Sequence, residues 1–151
     1  MKRSTRPAPL SPVDSYRGPV HWRLLLDWLR EDGVISAAEA IRVTARCAQA
    51  ESAQHALVRL AAGGIPPAQD GAAMDVEALT RHLADRAGLA YLRIDPLRVD
   101  AGKVSETMSA SYAERHKVLP VQVTPSEVVV ATSEPFIDDW VAEVERQSRR
   151  Q

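Results

Sequence analysis

Apolar residues recur along this chain first at helical spacing and later at strand spacing. Leu24, Leu25, Trp28 and Leu29 fall one, three and four positions apart, which puts them on one face of a helix over residues 20–32. Pro19 suits the first helical position, and Gly33 can end the helix in a left-handed conformation. Ser36-Ala-Ala-Glu39 is a capping box, with the Ser36 hydroxyl accepting from the Glu39 amide and the Glu39 carboxylate reaching back. It predicts a second helix running through Ile41, Val43 and Ala45 toward Ala50. Ser52 is expected to cap a third helix carrying Ala53, Ala56, Leu57, Leu60 and Ala61, which stops at Gly63-Gly64 before Pro66-Pro67. Asp75 caps a fourth, whose stripe is Val76, Leu79 and Leu83 and whose end is Gly88.

At Leu89-Ala-Tyr-Leu-Arg-Ile94 the period changes to two, which predicts a short strand broken by Asp95-Pro96. Val99 to Met108 is weakly patterned, with room for one helical turn, and Ser109 caps a short helix holding Tyr112 and Ala113. The clearest structure follows. Leu119, Val121 and Val123 share one face of a strand, Thr124-Pro-Ser-Glu127 suits a type I turn, and Val128 to Ala131 is a β-branched run for the returning strand. Pro120 cannot donate to a ladder, so its strand is expected at an edge or bulged there. Phe136, Ile137, Trp140, Val141 and Val144 then return to helical spacing. The fold class predicted is α+β: an N-terminal helical subdomain, then a small three-stranded sheet with flanking helices. The expected division is a flexible leader over 1–19, a helical subdomain with its linker loop over 20–73, and an α/β subdomain over 74–151.

Composition narrows the function classes. The 151 residues carry a net charge of −1, and their 19 basic side chains are spread along the chain. That argues against nonspecific nucleic-acid binding, which needs clustered phosphate contacts. No apolar run approaches the roughly 20 residues that span a bilayer, and the basic first segment lacks the apolar core of a signal peptide. A single cysteine, Cys47, excludes an internal disulfide and fits a reducing, cytoplasmic setting. With no activating group near it in sequence, Cys47 reads as a buried packing residue. The chain has no Walker-type loop, no G-x-G-x-x-G, no G-x-S-x-G, no H-E-x-x-H and no paired-cysteine metal spacing. His21, His55, His82 and His116 are scattered, and Asp138-Asp139 reads as first-turn acids of the last helix. No catalytic, cofactor or metal site is expected within these residues.

Two features of the helical half remain open. Trp22 and Leu26 widen the apolar face of the first helix, which is either extra core contact or an exposed partner-binding face. A shift of 31 residues pairs Leu26 with Leu57, Leu29 with Leu60, Gly33 with Gly64 and Val34 with Ile65. This is a weak repeat of helix, glycine break and capped helix.

Three stretches carry a family resemblance: Leu83-Ala-Asp-Arg-Ala-Gly-Leu-Ala-Tyr-Leu-Arg-Ile-Asp-Pro-Leu97, Ala113-Glu-Arg-His-Lys-Val-Leu-Pro120 and Val130-Ala-Thr-Ser-Glu-Pro135. In order and spacing they resemble the N-terminal domain of the type II secretion and type IV pilus assembly ATPases, the GspE/PilB family. The resemblance implies tandem helix-glycine-helix units in the first half and a catalytic region downstream, where ATP and magnesium bind. It implies a domain that docks the motor on the cytoplasmic part of a GspL-type inner-membrane protein, so membrane association is indirect and the downstream ATPase domain is a second partner. Trp22, Leu25, Trp28 and Leu29 are the candidate partner-binding residues, since aromatic anchors typify binding hot spots. Some members of the family bind cyclic di-GMP through an Arg-Leu-Gly that opens each helical unit. The corresponding positions here are Leu24-Leu25-Leu26 and His55-Ala56-Leu57, which lack both arginines and both glycines. Cyclic di-GMP binding is therefore expected to be absent or weak. The alternative, a cyclic di-GMP-sensing domain of the same motor family, would need arginines such as Arg23 and Arg59 to converge in a groove.

Overall fold

A computed structural model describes residues 16–49, 52–67 and 71–148. They divide into two compact units, one spanning Val20–Tyr91 and the other running from Leu92 to the C-terminal helix together with the residues before Val20.

The first unit is helical: α1 (Trp22–Glu31), α2 (Ala37–Ala48), α3 (Ala56–Ala62) and α4 (Val76–Ala87). Its ends are set by the local signals. Gly33 takes φ 71°, and the Val34 amide closes back on the Leu29 carbonyl at 2.9 Å. The Ser36–Glu39 capping box forms with both reciprocal bonds, the Ser36 amide donating to the Glu39 carboxylate at 2.7 Å. Those bonds hold the Glu39 carboxyl below the usual carboxylate range. Asp75 caps α4 through the Ala78 amide, and Gly88 ends it in the left-handed region. One cap differs from expectation. Ser52 bonds within its own turn to the Gln54 amide, and α3 begins three residues later, where His55 Nδ1 accepts from the Leu57 amide at 3.2 Å. The core of this unit comes from the inner faces of all four helices: Leu25, Trp28 and Leu29 of α1, Val43 and Cys47 of α2, Leu57 and Leu60 of α3, and Leu79 and Leu83 of α4. Ile41 lies off that face and is largely exposed.

The turn after α3 is fitted closely against α2. A Cβ added at Gly63 would sit 2.5 Å from the Cys47 sulfur and 3.2 Å from the Leu60 carbonyl oxygen. We expect Gly63→Ala to cost about 2 kcal/mol by overpacking. Adding Cys47→Ala should recover much of that loss, giving a favourable coupling in a double-mutant cycle read by urea unfolding. Strict additivity of the two substitutions would mean that the sulfur is not the obstacle.

The second unit holds a 3₁₀ turn (Pro96–Arg98), α5 (Ala101–Thr107), α6 (Ala110–His116), β1 (Val118–Val123), β2 (Val128–Thr132) and α7 (Val141–Ser148). The α+β class holds, but the sheet has two strands among the described residues. Leu89–Ile94, expected as the third strand, forms no ladder. Its alternation describes a chain able to pair, yet Leu89, Leu92 and Ile94 all stay exposed, so no packed face holds it in register. The hairpin forms as read, with the Thr124 amide donating to the Glu127 carbonyl at 2.8 Å. Val118 pairs with Thr132 and Pro120 with Val130, but Gln122 pairs with Val129, so Val121 is the extra residue of a bulge beside the proline. Met108, Val118 and Val144 form the core, with Tyr112, Ala113, Val130 and Trp140 packed on it. Two helices differ from the reading. Where one turn was expected, α5 runs for two, capped by Asp100 through the Lys103 amide. The last helix starts only at Val141, because residues 135–140 form turns in which the Trp140 indole donates to the Ile137 carbonyl at 2.9 Å. Asp138 and Asp139 therefore precede α7, and Asp139 lies 3.7 Å from His116. The first 15 residues of the expected leader lie outside the described residues; Tyr16 sets its ring edge-on to Phe136, with centroids 5.5 Å apart.

Candidate docking surface

The four residues expected to meet a partner are all in the core. Trp22 is 8%, Leu25 1%, Trp28 5% and Leu29 0% exposed. The inner face of α1 packs on α2 and α3. A partner could reach these side chains only if α1 moved away from its neighbours, so what this conformation offers a partner lies elsewhere in the unit.

Two polar clusters flank α1. At its C-terminal end, Glu31 and Asp32 add negative charge where the helix dipole is already negative. Arg86 of α4 offsets this with a two-pronged contact, Nε to Asp32 at 2.7 Å and Nη2 to Asp32 at 2.6 Å, and Nη2 also reaches Glu31 and the Trp28 carbonyl at 3.3 Å. His82 Nε2 lies 2.7 Å from the same Asp32 carboxylate. Desolvation works to raise the Asp32 carboxyl, but the hydrogen bonds from Arg86 and His82 outweigh it and hold it below the usual range. The hydrogen bond to Asp32, against the opposing effect of burial, raises the Arg86 guanidinium. This cluster fastens α4 to the end of α1.

At the start of α1, the guanidinium of Arg23 lies 4.3 Å and that of Arg59 5.4 Å from the centroid of the Trp22 ring. Arg59 also donates to the Cys47 carbonyl at 2.8 Å, tying α3 to α2. Burial pushes the Cys47 thiol up, opposed by the charges of Arg59, Arg46 and Arg23. A thiol so buried and held protonated is no nucleophile at neutral pH. Three arginines thus gather where α1, α2 and α3 meet.

The open surface of the unit is the outer side of α2. Ile41 is 72% exposed, and Ala38, Ala45 and Ala48 are exposed with it. Arg42 and Arg46 flank this strip, both exposed. Periodicity alone had put Ile41 on the same helix as the core residues Val43 and Cys47 without separating the two faces. Only the packing partners of α2 decide which face is covered.

The second unit offers a pocket of about 270 Å³ where α5, the hairpin turn and the end of α7 meet, lined by Lys103, Thr107, Thr124, Pro125, Gln147 and Ser148 among others. The hydroxyls of Thr107, Thr124 and Ser148 each donate to a backbone carbonyl, so none is held ready for a ligand. No group of three or more His, Cys, Asp or Glu that could hold a metal ion occurs among the described residues. Among the same residues no helix is long and apolar enough to cross a membrane.

Comparison with known proteins bears on the second unit. Residues 87–151 match the family model of the MshEN domain. This segment is similar to the MshEN domain. The family is the N-terminal domain of type II and type IV secretion ATPases, in agreement with the resemblance carried by residues 83–97, 113–120 and 130–135. The chain is also 38% identical over 71 residues to the type IV pilus assembly ATPase TfpB of Acinetobacter baylyi. That alignment takes in 47% of this chain and 12% of TfpB, so the chain spans a small part of the relative's length. The MshEN segment contains the hairpin, its bulge and the Met108–Val118–Val144 core. Its match starts in the last turn of α4 and leaves α1, α2 and α3 outside.

Proposed function

We propose that this chain is a non-catalytic docking and regulatory domain of a type II secretion motor ATPase, which recruits the motor to the cytoplasmic domain of a GspL-type inner-membrane protein. The single observation that carries the reading is the MshEN match over residues 87–151. On this reading the motor binds ATP and magnesium in a region downstream. The chain contacts that region and sits at the inner membrane only through its partner. The 38% identity to a pilus ATPase keeps the homologous pilus-assembly partner as the comparison to run beside the GspL-type one. The test is capture of the cytoplasmic domain of the neighbouring inner-membrane protein by the full chain. We expect retention with a micromolar dissociation constant, about −8 kcal/mol. Retention of neither inner-membrane protein at tens of micromolar would end the docking reading.

A second reading, sensing of cyclic di-GMP, has one observation in its favour: Arg23 and Arg59 both approach the Trp22 ring. Against it stand the missing Arg-Leu-Gly at residues 24–26 and 55–57 and the engagement of Arg59 with the Cys47 carbonyl. Calorimetry with cyclic di-GMP separates the two readings, because micromolar or tighter binding supports sensing and the docking reading expects none.

A further inference from the structure

We propose that the outer face of α2 is a docking site for an acidic amphipathic helix of a protein partner. The proposal rests on the docking reading above and names the surface and the chemistry that reading leaves open.

Ile41, Ala45 and Ala48 stand at i, i+4 and i+7, so they form one ridge along the exposed side of α2. Ile41 is the one large apolar side chain in that ridge and is 72% exposed. Ala38, Ala45 and Ala48 keep the ridge low, which lets a second helix approach to the short end of the usual 8–10 Å interaxial range.

The charge beside the ridge is mainly positive. Arg42 and Arg46 lie one turn apart along its flank, and Arg23 and Arg59 lie beyond them around Trp22 and Cys47. Arg23, Arg42 and Arg46 make no ion pair with the described residues. The only carboxylate on α2, Glu39, is taken up by the Ser36 amide and hydroxyl at 2.7 and 2.8 Å. A surface with an apolar knob and exposed guanidinium groups at Arg42 and Arg46 complements a helix that carries leucines on one side and carboxylates at their edge.

The same observations disfavour a lipid surface. A helix lying in a membrane interface buries a broad face of large apolar residues, whereas this face has Ile41 and alanines. Arg46 also meets the turn after α3. It lies over Gly64, where an added Cβ would sit 3.2 Å from its Nη1 and where φ is 70°. Gly64 therefore leaves room for Arg46.

The experiment titrates the full chain with a synthetic helical peptide, Leu along one face and Glu along its edges, and follows backbone amide shifts. We expect saturation in the micromolar range, with the largest shifts over residues 38–48. Arg42→Glu with Arg46→Glu should weaken binding at least tenfold, and Ile41→Asp by a similar factor, with thermal midpoints unchanged because all three side chains are exposed. A Lys-for-Glu version of the peptide should not bind. The proposal is overturned if the peptide fails to saturate, if its shifts map elsewhere, or if the three substitutions leave binding unchanged. It is equally overturned if phosphatidylglycerol vesicles, or self-association of the chain, perturb residues 38–48 and the peptide does not. The same variants in the capture assay separate this proposal from the reading it rests on. Wild-type capture that survives arginine reversal removes the α2 site and leaves docking intact. Peptide binding without capture of any inner-membrane protein does the reverse.

Discussion

Trp28→Ala is expected to destabilise the helical unit by about 4 kcal/mol, the usual cost of emptying a buried tryptophan site. The indole is 5% exposed in the core made by all four helices, and Arg86 lies 5.6 Å from its ring centroid. A loss of that size is a large part of the stability of a small domain. Capture of a partner should therefore fall in this variant because part of the population is unfolded. Urea unfolding followed by circular dichroism gives the expected result directly, and Trp28→Phe, which keeps most of the bulk, should restore both stability and capture. If Trp28→Ala unfolds at the wild-type midpoint yet loses its partner, the tryptophan is a contact residue and its burial here is not the state that binds.

Arg86→Ala is expected to cost about 2 kcal/mol, for charge-assisted bonds lost in a partly buried site. Its side chain is 12% exposed, and it holds Asp32, Glu31 and the Trp28 carbonyl together. The pH dependence identifies the mechanism. The Asp32 carboxyl is lowered on folding from its ordinary value of 3.8, so the stability it gains from Arg86 and His82 is fully present above that value and is lost as pH falls through the lower folded one. The gap between wild type and Arg86→Ala should accordingly be widest near neutral pH and close below about pH 4. A gap that persists at pH 2 would assign the loss to packing of the arginine stem against Trp28.

What could be read from the sequence was whatever is local. The Ser36–Glu39 box, the Asp75 and Ser109 caps, the left-handed glycines at 33 and 88 and the bulge beside Pro120 each depend on a few neighbouring residues, and each is formed. Features that depend on distant partners were out of reach. Leu89–Ile94 has a strand's alternation but no packed face to hold it. Arg86 and Asp32 lie 54 positions apart, and nothing near either announces the other. The face of α1 was correctly read as apolar, but apolarity cannot say whether a face meets another part of the same chain or a second protein. The structure assigns that face to the core and leaves Ile41, read only as one more helical residue, on the outside.

The extra residue at Val121 also bears on how this chain behaves at high concentration. An unpaired strand edge is a template on which another chain can polymerise. On β1 the template is defective. Pro120 lacks a hydrogen to donate, and the strand bends at the next residue, so a straight incoming strand would lose register within a few residues. Helices α5 and α6 also pack on β1, and Pro120 is fully buried, so the strand is covered as well as kinked.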